Sequence, residues 1–419
     1  MRAARAPLRP WGFVVAFGTV SLLADFVYEG ARSVTGPLLG SLGASAAVIG
    51  AVTGAGDAAA LGLRLVSGPL ADRTRRFWAL TIAGYLLTVV SVPPLGVVGT
   101  LWAACVLVVA ERVGKAVRSP AKDTLLSHAT AATGRGRGFA VAQALDQTGA
   151  LIGPLTVAGV LAATGGDYAP ALLVLAAPGA AVLAVLLWLR ARVPNPAAYE
   201  PVGPPAPETA RPEPPSPREA SPAPAPGDGG TTPGAPLPRA FWLYAAFTGV
   251  TTCGLATFGV LSFHLVHRGL LPVAAVPVLY AGVMLADALS ALATGWAYDR
   301  FGPWALVTLP LLTAAVPALA FTNSVALAVG GAVAWGAALG VQESTLLATV
   351  ADLVPVARRA TAYGVFAGVI GAATLVGGVL TGALYGYSIR ALIITVAATQ
   401  TAALVLLAVA RRSGRMAAC

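Results

Sequence analysis

Charge is what this sequence has least of. Of its 419 residues only 11% are Asp, Glu, Lys or Arg, against 57% hydrophobic and a mean hydropathy of +0.77. A water-soluble domain of this size needs more charge to cover its surface, so a polytopic membrane protein is expected. Cysteine is nearly missing as well. Cys105, Cys253 and Cys419 lie far apart without metal-like spacing, which argues against a disulfide scaffold and a zinc site. The sequence also lacks a Gly-x-x-x-x-Gly-Lys loop, a metal-spaced histidine cluster and a nucleophile elbow, so a membrane-embedded enzyme has no chemistry to offer here. Neither cofactor nor metal is expected. The net charge of +10 suggests no nucleic-acid partner, because the basic residues fall between apolar runs instead of forming a patch.

What is present is apolar sequence in membrane-length pieces. Segments fall near 11–31, 46–66, 77–98, 101–120, 138–163 and 168–189, then near 240–263, 273–294, 303–321, 325–350, 363–386 and 388–410. Each reaches the roughly 20 residues a membrane helix needs. Arg2, Arg5 and Arg9 precede the first run as in a signal peptide, but acids follow it and further spans come after, so it reads as a retained span. Residues 1–190 and 240–419 thus form two six-span halves. Between them, 191–239 is rich in Pro with Glu, Ser and Gly, a composition that cannot bury enough apolar surface to fold, and is expected to be a disordered linker.

Basic residues set the expected topology. Arg2, Arg5, Arg9, Arg73, Arg75, Arg76, Lys122, Arg135, Arg137, Arg358, Arg359, Arg411, Arg412 and Arg415 fall on one side, and little beyond Arg268 and Arg390 on the other. Arginine resists translocation, which places both termini and the linker in the cytoplasm. Arginine abundance over lysine suits a GC-rich bacterial genome, hence a bacterial inner (cell) membrane.

The halves echo one another. Gly68-Pro-Leu-Ala-Asp72-Arg73-Thr74-Arg75-Arg76 ends the second run, and Gly295-Trp-Ala-Tyr-Asp299-Arg300-Phe-Gly302 is a weaker copy in the second half. Thr124-Leu-Leu recurs as Thr345-Leu-Leu, and Arg135 and Arg137 precede the fifth span as Arg358 and Arg359 precede the eleventh. Equal placement implies parallel repeats around a central path. On these motifs the chain resembles the major facilitator superfamily, over everything except the linker. That family carries a Gly-x-x-x-Asp-Arg-x-Gly-Arg-type loop after its second helix. Here the inner glycine is missing and the loop is one residue short. The resemblance implies an all-α membrane protein, twelve transmembrane helices in two pseudo-symmetric six-helix bundles that rock around a central site. It also implies a gate latch on the cytoplasmic side from Gly68, Asp72, Arg73 and Arg76 with Asp299 and Arg300; the plain alternative is a set of topology-fixing charges.

Ionisable residues inside spans are costly and mark function. Asp25, Glu29 and Arg32 share a face of the first span, Asp57 and Arg64 lie seven apart in the second, and Glu111, Lys115, Arg118 and Lys122 form a stripe on the fourth with Arg112 beside it. Asp146 lies in the fifth, between Gln143 and Gln147. The second half is poorer, with Asp287 and Glu343. Burial makes a carboxylate hold its proton, and a nearby cation reverses this. A proton-coupling set of Asp25, Glu29, Glu111 and Arg112 is therefore expected, with sodium an alternative ion and a permanent ion pair the static alternative. Asp57–Arg64 and Lys115–Glu111 look structural, and His264 and His267 read as membrane-interface residues. Arg118-Ser-Pro120 reads as the end of the fourth span and a second latch, or a polar helix end. Gln143, Asp146 and Gly149 are the expected cavity wall.

Gly149-Ala-Leu-Ile-Gly153-Pro154 resembles the Gly-x-x-x-Gly-Pro element of proton-antiporting drug exporters, although Ala140 and Val157-Ala158 replace expected glycines. Together these readings give a monomeric proton-coupled exporter of a small organic compound, working by alternating access in the lipid bilayer. A proton-coupled uptake symporter for a sugar or other metabolite uses the same acids and stays open.

Overall fold

The structure is a computed structural model and describes residues 8–199, 237–354 and 358–412. The latter part of the expected linker, 200–236, and the arginines at 2, 5 and 415 lie outside the described residues. Twelve apolar helical segments follow one another: α1 Pro10–Ser41, α2 Ala46–Thr74, α3 Phe77–Ser91, α4 Leu101–Thr133, α5 Arg135–Ala163, α6 Tyr168–Arg192, α7 Arg239–His267, α8 Ala275–Phe301, α9 Thr308–Ala320, α10 Val325–Leu353, α11 Arg359–Tyr387 and α12 Ile389–Arg412.

Hydropathy and length alone mark ten stretches as membrane spans among the described residues. Two physical facts account for the difference. Gly302, at φ 59°, turns the chain after Phe301, so the 46-residue stretch Ala275–Ala320 is two helices, α8 and α9. The fourth span fails a hydropathy test because it carries the charged stripe, yet its neighbours α2, α3 and α5 enclose it.

Sequence patterns explain the boundaries. Pro10 starts α1 where its missing N–H costs nothing. Ser45 caps α2 by accepting from the Val48 N–H. Three expectations need correction. The fourth span does not end at Pro120: α4 continues for 33 residues to Thr133, so Arg118 sits mid-helix. The start of the expected linker is ordered, because α6 runs to Arg192 and a 3₁₀ turn at Pro196–Tyr199 folds back, where Tyr199 donates to the Leu8 carbonyl (2.7 Å) and packs on Phe13. His264, expected as an ordinary interface residue, is instead fully buried among protein groups, joining the Tyr385 hydroxyl (2.9 Å) to the Thr322 carbonyl (3.0 Å).

The two sets of six helices meet mainly along α1–α7, α2–α11 and α5–α8, with smaller contacts of α2 on α7 and α1 on α8. At the end away from the termini the seam is backbone on backbone. A Cβ at Gly36 would overlap the Gly259 carbonyl, and one at Gly50 would overlap that of Gly378, so no larger residue permits this approach. Thr53 adds a hydrogen bond to Thr257 across the same seam (2.8 Å). At the terminal end, neither Gly68 nor Gly295 has a neighbour within 4 Å of where a Cβ would stand.

Candidate functional site: a buried ion chain at the seam

The charged faces of α1, α2 and α4 turn toward one another. A helix repeats its face every three to four residues, so Glu29 and Arg32 of α1 project together at Asp57 of α2 and at Glu111 and Arg112 of α4. Arg112 approaches Asp57 at 3.2 Å and Glu111 at 3.4 Å. Arg32 bridges Asp57 at 3.7 Å and Glu29 at 3.9 Å. Glu29 also accepts a hydrogen bond of 2.5 Å from the hydroxyl of Tyr280, which belongs to α8 in the other half. The result is one chain, Tyr280–Glu29–Arg32–Asp57–Arg112–Glu111, running from one half into the other. Glu29, Glu111 and Arg112 are buried, and Tyr280 is fully so.

Beneath this chain lies the ring of Tyr28. Lys115 Nζ stands 3.8 Å from its centroid and the Arg112 guanidinium 4.6 Å. The ring's negative face tempers two like charges that would otherwise repel in a low dielectric. Asp25 belongs to a second group beside the first. Lys122 contacts Asp146 at 3.4 Å, and Asp25 lies within the field of Asp146, Lys115 and Lys122.

The bonding is thin for groups so deep. Arg112 Nε and Nη1 and Glu111 Oε1 are buried without a well-aligned hydrogen bond among the described residues. The chain is therefore held by charge alone at most links, and the bond from Tyr280 is its directional one.

The other expected site residues fall as follows. The direct couple of Asp25 or Glu29 with Arg112 is not made; Arg112 takes Asp57 and Glu111 instead. Asp57, read from the sequence as a structural partner of Arg64, sits at the centre of the chain, because helix rotation turns it away from Arg64 and toward α1 and α4. Arg64 reaches Ser119 (3.4 Å). Arg118 is at no gate: it is 3% exposed, donates to Thr88 (2.7 Å) and lies over Tyr85. Gly149 faces no open wall, since it packs on the Leu22 carbonyl of α1 with no room for a side chain. Gln143 is exposed and Asp146 half-buried. Asp72, Arg73, Arg76, Asp299 and Arg300 are exposed, and none forms an ion pair among the described residues. Sequence reasoning missed Tyr28 and Tyr280, whose only signal is an aromatic on the face that carries the acids. In the second half Glu343 is exposed and feels Lys115, Arg32 and Arg64 of the first.

Two bundles of six helices with an ion chain at their seam define a multi-pass secondary transporter, not an enzyme. Comparison with known sequences agrees: the "Major Facilitator Superfamily" profile matches residues 18–309 and 271–417, and the chain belongs to this family. It is 59% identical over 407 residues to an uncharacterized protein of Mycobacterium tuberculosis and to one of Mycobacterium bovis, covering 97% of this chain and 94% of each relative. An uncharacterized MFS-type transporter of Methanocaldococcus jannaschii is 28% identical over 140 residues, 33% of this chain and 35% of that protein. Among solved structures, a peptide transporter POT in complex with sulfate superposes with a TM-score of 0.72 at 15% identity, covering 96% of this chain and 95% of that one. A nucleoside transporter NupG mutant gives 0.71 at 14% identity, covering 96% and 99%. At such identity these likenesses concern the fold.

Proposed function

We propose that this transporter exports a small organic compound in exchange for protons, and that the chain from Tyr280 to Glu111 is the coupling device. The observation that carries the reading is a buried, under-bonded ion chain joined to the opposite half by a single hydrogen bond. Breaking or burying ions costs several kcal/mol each, and a static bundle has no use for such a chain where apolar packing would serve. A moving one does. Tyr280 and Arg32 both contact the Glu29 carboxylate in the state described. When the halves rock, α8 carries Tyr280 away and Glu29 loses its donor, which opens that oxygen to the exchanged proton. Motion of one half is thereby tied to uptake or loss of one proton. The cavity of about 10 Å³ against Arg32, Glu111 and Arg112 has room for about one water and none for an organic substrate, which suits a proton route separate from the substrate gap.

Substrate would occupy the gap between the halves, against Gln143, Asp146 and Glu343. Arginine asymmetry supports a cytoplasmic location for both termini and the 191–239 linker in a bacterial cell membrane, so in this reading the state described, sealed at Gly36–Gly259 and Gly50–Gly378, is the one that faces the cytoplasm. Asp72 and Asp299 with their arginines would then pair only in the alternate state. Export is supported by the Gly149–Pro154 element, which packs α5 onto α1 at Leu22 and Phe26, one turn from Asp25 and Glu29. The protein works as a monomer in this reading, with residues 1–190 and 240–419 as the rocking units.

The test uses purified protein in oriented vesicles with an internal pH reporter and a panel of antibiotics, dyes and metabolites. A compound should drive protons opposite to its own movement, and Glu29→Gln should abolish this. Protons moving with the compound would make the protein a symporter. Compound transport without proton movement would sink the coupling role of the chain.

A further inference from the structure

A second cavity lies away from the seam. It is a cleft of about 730 Å³ at the terminal end, where the α2–α3 turn meets the end of α6, lined by Arg75, Arg76, Phe77, Trp78, Leu187 and Arg190 among others. Its chemistry is one-sided. Three guanidinium groups face it, no carboxylate lines it, and none of the three forms an ion pair among the described residues.

Two further observations point to an absent acceptor. Helix α3 begins at Phe77 with no side-chain cap and no acidic residue in its first turn, so its leading N–H groups and the positive end of its dipole open onto the cleft. Trp78 is 8% exposed, and its indole Nε1–H is buried without a partner among the described residues. A buried donor left unmatched costs about 1–3 kcal/mol. The turn itself is held in a sparse conformation: Arg75, at φ 53°, is the one non-glycine residue with positive φ among the described residues.

The remaining walls are apolar, and Leu187 is 54% exposed on the outer face of a membrane helix. A ligand for this cleft thus has several acceptor oxygens with negative charge at one end and hydrocarbon at the other. We propose that the cleft binds the phosphodiester headgroup of an anionic phospholipid, with its acyl chains along Leu187 and Phe77. Basic pockets between membrane helices are suited to such headgroups. Free phosphate would satisfy the donors but not the apolar wall. The chain's own carboxylates at Glu200, Glu208 and Glu213, 6 to 19 positions beyond Pro194 in the sequence, are the rival occupant.

The full chain, purified in detergent, is examined by native mass spectrometry and thermal unfolding with dioleoyl-phosphatidylglycerol, dioleoyl-phosphatidylcholine or inorganic phosphate. One phosphatidylglycerol should be retained and should raise the Tm, with neither other additive doing so. Arg75→Gln and Arg190→Gln should each weaken retention roughly fivefold, and Trp78→Phe, which keeps the packing, should weaken it without lowering the Tm of lipid-free protein. Equal retention of both lipids, an equal Tm rise with phosphate, or a preference that emerges only when Glu200, Glu208 and Glu213 are changed to Gln would each overturn the proposal.

Discussion

Removing one oxygen atom tests whether the ion chain senses the position of the two halves. In Tyr280→Phe the ring stays in its packing against Phe258, whose centroid is 4.5 Å away, and only the donor to Glu29 is lost. A hydrogen bond to a charged group is worth about 1.5–3 kcal/mol. If the bond exists only in the state described, its loss shifts the balance between states by about ten- to a hundredfold. The readout is the distance between spin labels at Leu70→Cys and Trp296→Cys, exposed positions at the terminal ends of α2 and α8, in a background with Cys105, Cys253 and Cys419 replaced by Ser. The population with this end open should fall, and Glu29→Gln should move it the same way. The double variant should shift beyond Tyr280→Phe only by what the Arg32–Glu29 contact contributes, since the Tyr280 bond is already gone. An unchanged distance distribution together with a lowered Tm would refute the reasoning, because the bond would then be kept in both states.

Three other outcomes follow from the geometry. Arg112→Gln leaves buried Glu111 without its cation and half-buried Asp57 with Arg32 alone, and should cost up to about 3–5 kcal/mol in thermal or denaturant unfolding; adding Asp57→Asn should recover part of it, whereas strict additivity would show the pair is not coupled. Gly50→Val sets a side chain against the Gly378 carbonyl, an overpacking worth about 1–3 kcal/mol. It should widen the distance between labels at Val97→Cys and Tyr387→Cys, and no widening would mean the seam can give there. Asp72→Asn and Asp299→Asn should leave unfolding within about 0.5 kcal/mol of the parent, since both are exposed and unpaired in this state, while slowing substrate turnover in vesicles; a stability loss with normal turnover would remove the latch.

Much of this protein could be read without coordinates, because a membrane imposes a one-dimensional rule: a segment either is long and apolar enough to cross or it is not. Span number, the fourth span despite its charges, and the paired Gly/Asp turns all follow from that rule and from duplication. Which residues carry expensive charge was equally plain, since an Asp or Arg amid apolar sequence stands out wherever it points. Partnership was not. Asp57 and Arg64 are seven apart and Asp25 precedes Glu29 by one turn, but helix rotation and crossing angle decide which acid meets Arg112, and those depend on packing such as Gly149 against Leu22. Tyr280 is 251 residues from Glu29, and nothing local pairs the two. The cleft at Arg75, Trp78 and Arg190 joins stretches of one bundle that are distant in sequence, so its surplus of donors exists only once the helices are packed. Sequence settles what must be buried and at what cost; the tertiary structure alone decides which buried groups face each other.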